Sequence, residues 1–532
     1  MSWDYVIVGG GSAGCVLAGR LSEDPDVRVL LLEAGPEDTN PWIHIPLGYG
    51  KLFNHAKLNW RFQSQPEPYL DGRVINQPRG RVLGGSSSIN GLLYVRGQAE
   101  DFDVWARAAG NRGWDREDML TWFRKAEDQQ HGEDQWHGGG GPLAVSDPSE
   151  SHPLCDAWIA AGEEAGYQRN PDFNGASQEG VGYYQSTMRN GRRCSAAVAY
   201  LKPRVRSRPN LQIMTGAMVH RVLFEGRRAV GVDYVIAGER MVADCTGEVI
   251  LAAGAVGTPQ LLELSGIGDG ERLRALGIGV VHDNPQVGEG FQDHMQVRFV
   301  YKAKRKVTFN DDMRNPLRMV KVGLKYALAR KGPLTVSAGY AGGFFRSDVA
   351  QDDRPDIQCL FITFSTTKMG DRLHPFSGFT ISSCPLRPTS RGHVHAVSPD
   401  PTVAPAILAN FLATEKDRRD IVAGMRIIRG IAAQPALADQ IASEHIPGPN
   451  IDDESSMLAY ARETGGSIYH ASCTAALGKV VDGSLQVIGV ERLRVADASI
   501  MPSIVSGNTN AAVIAIGEKA ADMIRKDRKG VR

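Results

Sequence analysis

"YVIVGGGSAGCVLAGRLSEDPDVRVLLLEAG", residues 5–35, decides the fold. Tyr5 to Val8 is a short apolar run of the kind that makes a buried parallel strand, "AGCVLAGRLSE" has helical spacing, and "VRVLLLE" is a second strand ending in Glu33. Between the first strand and the helix, Gly9, Gly11 and Gly14 form a GxGxxG pattern. In such a βαβ unit the first glycine permits the tight turn and the second lets the backbone approach a pyrophosphate. The third lets the helix pack close to the strand, with the helix N-terminus facing the phosphates. Glu33, about twenty residues on, suits ribose hydroxyls and repels a 2′-phosphate. A tight strand-to-helix turn without a ligand gives no reason for the glutamate. The expected fold class is therefore α/β, with a Rossmann-like dinucleotide-binding domain. The unit alone does not choose between NAD and FAD.

Composition narrows the function. The 532 residues suffice for two large domains or three average ones. With 60 basic and 60 acidic residues there is no global field to hold a polyanion, so nucleic acid is not an expected partner. Seven cysteines, none in a CxxC pair, read as reduced thiols of a cytoplasmic protein and offer no structural metal site. No basic leader precedes Tyr5 and no stretch approaches about 18 uninterrupted apolar residues, so a soluble, unexported protein is expected. The 60 glycines cluster in motifs rather than in linkers.

Two further glycine clusters choose the cofactor. "RGRVLGGSSSINGLLYVRG", residues 79–97, runs small residues past any flat ring within reach, with backbone amides and the Asn90 side chain as donors and acceptors. Taken alone it is also compatible with a flexible serine-rich loop, but between Arg81 and "LLYV" it reads as ordered. Together with "GAVGTPQLLELSGIG", residues 254–268, it resembles the two signature patterns of the glucose-methanol-choline (GMC) oxidoreductases, FAD enzymes that oxidise alcohols. The likeness extends through "LNWRF" (58–62), "VGEGFQDH" (287–294), "YHASCT" (469–474) and "VADASIMPSIVSGNTNAAVIAIGEKAADMI" (495–524), from Tyr5 to Ile524. "DTNPWIHIPLG", 38–48, is similar to the bacterial alcohol and choline dehydrogenase branch.

The resemblance implies a discontinuous FAD-binding domain built from 1–35, 75–100, 205–300 and 465–532. It is interleaved with an α+β substrate-binding domain and connecting segments at 36–74, 101–204 and 301–464. An antiparallel sheet in the latter is suggested by the β-rich runs "GGFFRS", "DIQCLFITF", "FTISSCPL" and "RGHVHAVS". Beyond Gly9, Gly11, Gly14 and Glu33, the implied FAD contacts are Ser12, Ala13, Ala34, Trp60, Arg81, Gly84, Gly85, Ser86, Asn90, Gly91, Leu92, Leu93, Val219, Ala253, Asp497, Ala498, Thr509 and Asn510. Where some family members carry a histidine bonded covalently to the flavin this chain has Ile89, so its FAD is expected to be non-covalent.

His470, alone among small residues, reads as a structural imidazole. Its family block reverses that reading: the resemblance implies that His470 and Asn508 meet over flavin N5 as the catalytic pair, one taking the hydroxyl proton, the other holding the alcohol oxygen. A helix is expected from about Asn510, with Asn508 or Thr509 placed to cap it. His294 is read as structural, His393 and His395 as a solvated strand face without a third metal ligand, and Cys473 and Tyr340 as candidate pocket residues. Choline-oxidising relatives place a glutamate where Tyr340 lies, so neutral primary alcohols are expected to outdo choline. The expected acceptor is a quinone, with oxygen as the alternative, and lyase or decarboxylase chemistry on the same fold as a further one. In 314–331, Arg314, Arg318, Lys321 and Lys325 adjoin an apolar stripe of Leu317, Val320, Leu324 and Leu328. That pattern fits an ordinary helix with a solvated basic side, or a peripheral contact with the inner membrane.

Overall fold

The apolar runs at the head of the chain become strands Trp3–Val8 and Val29–Glu33, parallel neighbours joined by helix Ser12–Leu21. Val6, Ile7, Val29 and Leu31 are wholly buried, because both faces of the sheet are covered and nothing favours alternation. Leu211–Thr215 extends the parallel set on one side and the far half of Glu239–Leu251 on the other. Glu239–Leu251 then turns into an antiparallel meander with Arg228–Ile236 and Ala217–Glu225, and Leu493–Val495 also pairs with it, giving a mixed seven-stranded sheet. The computed structural model describes residues 2–111, 113–368 and 370–530; residues 1, 112, 369, 531 and 532, included in the expected domain ranges, lie outside them.

A second seven-stranded sheet has its own apolar core. Its strands run in the order Ile441–Ile446, Met295–Ala303, Gly378–Pro385, Ile357–Ile362, Ala341–Phe345 and Gly180–Tyr183, all antiparallel, with Gly466–Ser467 also on Met295–Ala303. Helices Pro153–Glu164 and Glu415–Ala432 pack on it, burying Trp158, Met425 and Ile428. Three of the four β-rich runs expected here belong to this sheet. "RGHVHAVS" does not: Gly392–His395 pairs with Glu289–Phe291 and Ala406–Leu408 in a separate three-stranded sheet. Composition marks a strand, whereas its partners are set by tertiary packing.

The two cores divide the chain less evenly than the expected ranges. Met295–Ala303 belongs to the second sheet from its first residue and runs through the expected boundary at 300. Conversely Phe102, Trp105, Phe123 and Ala197, within or beside helices of the 101–204 range, join the first core. The terminal helix Asn510–Gly530 lies along Ser12–Leu21 at a crossing tight enough that a Cβ on Gly517 would stand 2.9 Å from Val16 Cβ. Buried Glu518 locks the pair, accepting from Arg20 Nη2 at 2.7 Å and Nε at 2.9 Å. Ser12 Oγ donates to Asn510 Oδ1 at 2.8 Å, so the two helices begin side by side.

Candidate active site

Both helix N-termini open onto a cavity of about 420 Å³ lined from both cores. At one end Gly9, Gly11, Ser12, Ala13, Glu33 and Ala34 form the wall. Gly9 has φ +103° and a Cβ there would meet the Ala252 carbonyl oxygen at 2.6 Å; only glycine makes this turn. Gly11 is the N-cap of Ser12–Leu21 and offers no capping side chain, leaving the first-turn N–H groups for an anion. The second glycine cluster crosses here: a Cβ on Gly85 would lie 2.7 Å from Gly11 Cα. Gly14 and Gly84 stand behind the wall. A Cβ on Gly14 would collide with the Gly9 carbonyl, and Gly84 N–H donates to Gly10 O at 2.7 Å. Glu33 accepts from Gly10 N at 2.8 Å and Gly35 N at 2.7 Å. Burial pushes its carboxyl up to about 7, against the pull of those N–H groups.

The cavity is also bordered by Trp60, Gly85, Ser86, Ile89, Asn90, Gly91, Leu92, Leu93, Val219, Ala253, Asp497 and Ala498. Arg81 does not reach the wall; its guanidinium sits 4.8 Å from the Trp60 ring centroid, backing that indole. Asn90 is held by the buried Arg193, which donates to its Oδ1 at 2.6 Å and its carbonyl at 2.7 Å. Asp497 accepts from Gly254 N at 2.8 Å and Thr258 Oγ1 at 2.6 Å, tying the 254–268 motif to the last segment. An uncapped helix start, a glycine cradle that any Cβ would fill and largely apolar walls together fit a dinucleotide with a flat ring system.

At the far end His470, Asn508, Thr509 and Asn510 line the cavity. Asn508 Nδ2 donates to His470 Nε2 at 3.1 Å, and Asn508 Oδ1 accepts from Gln358 Nε2 at 3.2 Å, so its side chain faces the imidazole and does not cap the terminal helix. His470 Nδ1 lies 2.9 Å from His294 Nδ1, and His294 Nε2 lies 2.8 Å from the Leu386 carbonyl oxygen. A carbonyl accepts only, so His294 carries its proton on Nε2 and presents a bare Nδ1; His470 must then donate from Nδ1. Its Nε2 lone pair is left facing Asn508 and the cavity. Burial, reinforced by His294 and Arg79, holds the His470 pKa well below the usual imidazole value, and burial lowers that of His294. Both rings are neutral at neutral pH. Asp293 Oδ1 accepts the His470 backbone N–H at 2.7 Å, while Tyr469 beside it takes φ +73°, an uncommon backbone state for an aromatic residue.

His294 is thus more than a structural neighbour, since it sets the His470 tautomer. The two expected pocket residues are corrected the other way, since neither lines the cavity. Tyr340 hydrogen-bonds the Glu150 carbonyl and packs edge-on to Tyr183; Cys473 is buried against Ser472 and Gln292. Nor are His393 and His395 a solvated face. His395 is buried between Glu263 at 2.8 Å and Glu289 at 2.9 Å, and Glu289 is a third potential ligand beside both histidines. The Arg272 guanidinium, 2.6 Å from His395 Nδ1, already balances those carboxylates. Sequence reading missed Gln358, Arg193, Arg79, Tyr49 and Arg298. Arg79 alone stood inside a recognised motif.

The profile of a family described as GMC oxidoreductase matches residues 3–296, and its C-terminal counterpart matches 388–517. The chain is a GMC oxidoreductase. It is 45% identical over 531 residues to an alcohol dehydrogenase [acceptor] of Pseudomonas putida, covering 98% of this chain and 95% of that protein. It is 43% identical over 536 residues to the mitochondrial choline dehydrogenase of Mus musculus, covering 98% and 89%. Among solved structures, pyridoxine 4-oxidase from Mesorbium loti matches at 32% identity with a TM-score of 0.89, over 98% of this chain and 99% of that one. A formate oxidase variant of Aspergillus oryzae matches at 28% identity with a TM-score of 0.93, over 100% and 99%. This GMC oxidoreductase is an FAD enzyme acting on CH–OH groups. Among the described residues no helix is long and apolar enough to cross a membrane.

Proposed function

We propose that this GMC oxidoreductase oxidises primary alcohols to aldehydes and passes the electrons to a quinone-type acceptor. Bound FAD supplies the hydride acceptor. The observation that carries the reading is the fixed His470 tautomer, whose Nε2 lone pair shares the cavity wall with the Asn508 amide. An aliphatic alcohol is far too weak an acid to ionise at neutral pH, so its proton must leave to a positioned base as hydride departs. An oxygen beside Asn508 Nδ2 is held by that amide and loses its proton to Nε2, an orientation contribution of about several kcal/mol. Arg79 lines the same cavity with Nε and Nη2 unpartnered among the described residues, and adds positive charge where negative charge accumulates. Ile89 offers no nucleophile to the ring, which supports a dissociable FAD.

The quinone reading draws on the relative named alcohol dehydrogenase [acceptor], and a peripheral contact of helix Pro316–Ala329 with an anionic membrane surface accords with it. The likeness to two oxidases favours the second reading, in which oxygen takes the electrons. Relatives named for choline notwithstanding, an alcohol without a cationic head group is the better substrate, because among the described residues no carboxylate borders the cavity beyond Glu33 and Asp497. Anaerobic mixing with butanol, benzyl alcohol and choline tests the reaction: the first two should bleach the yellow flavin band. His470→Ala should keep its FAD and lose about 10²–10⁴ in turnover. Near wild-type oxidation by that variant would remove the histidine from the mechanism, and rapid stoichiometric peroxide release would make the protein an oxidase.

A further inference from the structure

The cavity beyond the catalytic pair contains hydrogen-bond donors with nothing to donate to. Residues 294, 296 and 298 share one face of an extended segment: His294 reaches His470, while Gln296 and Arg298 border the cavity. At about 3.3 Å per residue this sets Arg298 roughly 13 Å along the chain from His294, the ring that touches the base. Its Nη2 is enclosed without a partner, Nη1 reaches only the Thr367 carbonyl at 3.5 Å, and it makes no ion pair among the described residues. The Tyr49 hydroxyl, also on the wall, is enclosed and unpartnered too. Phe53, Leu360 and Ile362 supply apolar surface around them. The two carboxylates on the cavity are engaged elsewhere, Glu33 by Gly10 and Gly35, Asp497 by Gly254 and Thr258.

A guanidinium and a phenol enclosed in an apolar wall are costly unless a ligand completes them. The ligand that does so accepts hydrogen bonds and carries negative charge, and a carboxylate matches the guanidinium best. We infer that the preferred substrate is a hydroxy acid: a primary alcohol whose far end carries a carboxylate bound by Arg298 and Tyr49. The inference rests on the alcohol oxidation proposed above and names its substrate class. It also gives a direct reason for rejecting choline, whose trimethylammonium group would face an uncompensated arginine.

The test compares holoenzyme kcat/KM for three alcohols of equal length: 8-hydroxyoctanoate, octan-1-ol and 8-amino-octan-1-ol. The acid should lead the alkanol roughly tenfold or more, and the amine should trail. Arg298→Gln should lower the acid-to-alkanol ratio about thirtyfold, Arg298→Lys should recover part of it, and Tyr49→Phe should lower it about threefold to tenfold. FAD absorbance retained by each variant shows that it has folded. Octanoate as a dead-end competitor should bind at least about tenfold more tightly than octylamine, a preference lost in Arg298→Gln. An alkanol preference, or an equal loss for all three alcohols in Arg298→Gln, overturns the inference. Arg298-dependent octanoate binding without oxidation of any alcohol would uphold the carboxylate site and remove the reaction instead.

Discussion

A backbone carbonyl never donates, so the Leu386 oxygen settles two tautomers in succession and aims the His470 lone pair. His294→Leu breaks that chain and should lower kcat/KM by about 10². His294→Gln, with one amide end to accept from His470 and the other to donate to Leu386, should lose far less. The pH profile separates a relay from a packing role. The proposed base works when neutral, and burial holds its pKa well below the usual value, so kcat/KM should stay flat as pH falls through about 6.5 and drop only beyond it. In acid, where His294 can also take a proton, its charge opposes one on His470 and is the second cause of that depression; removing it in His294→Leu should move the acid limb to higher pH. An unshifted limb in a folded variant would dismiss the relay. His470 and Asn508 were legible because each stands in a family block. The role of His294 was not, since nothing in "QDHM" tells that a carbonyl 92 residues away will face its ring.

Helix Pro316–Ala329 shows what periodicity can and cannot say. The apolar stripe is where its spacing puts it, but it points outward: Leu317 is 83% exposed, Val320 56%, Leu324 55% and Leu328 85%. The buried residues are Val322 and Tyr326, on the opposite side. A repeat of 3.6 residues fixes a face, while the choice of which face the body covers belongs to the tertiary fold. Arg314, Arg318, Lys321 and Lys325 are exposed beside the stripe, although Lys325 pairs with Glu150 at 2.6 Å. Lys304, Arg305 and Lys306 adjoin its start, where Arg318 Nη1 donates to the Lys306 carbonyl at 3.2 Å. A second copy would bring the same charges together; an anionic lipid surface accepts both the charges and the leucines. The protein should sediment with anionic vesicles at low salt and much less with neutral ones. Leu317→Gln with Leu328→Gln should weaken this by about tenfold or more, since each buried leucine contributes about 1.5–3 kcal/mol. Lys321→Gln should weaken it about fivefold. Failure to sediment at low salt would return the stripe to solvent, and a shift from dimer to monomer in the leucine variant would make it a self-association face.

At the scale of the whole molecule, the cavity is where the two cores meet, lined from Val8 to Val513 by segments of both. The head of this arrangement was legible because a βαβ unit is local, 31 residues from Tyr5 to Gly35. The second sheet was legible only as separate strands. Gly180–Tyr183, for instance, is short, glycine-rich and bonded to Ala341–Phe345, far along the chain, so no nearby signal marks it. A cofactor held at such a junction binds the folded state and not the open chain, so its affinity adds to the stability of both cores. With Ile89, a side chain that offers no nucleophile, facing the cavity, acid precipitation should release all flavin into the supernatant. Flavin retained on the polypeptide would show a covalent link. The deflavinated protein should melt lower, and added FAD should restore the melting temperature progressively, by about 2.7 kcal/mol of stabilisation at a hundredfold excess over Kd. Because both cores border the same ligand, they should recover together: tryptophan emission, weighted by Trp105 and Trp114 in the first core and Trp158 in the second, should report one transition. Two separated transitions with FAD bound would mean that the cofactor stabilises one core alone.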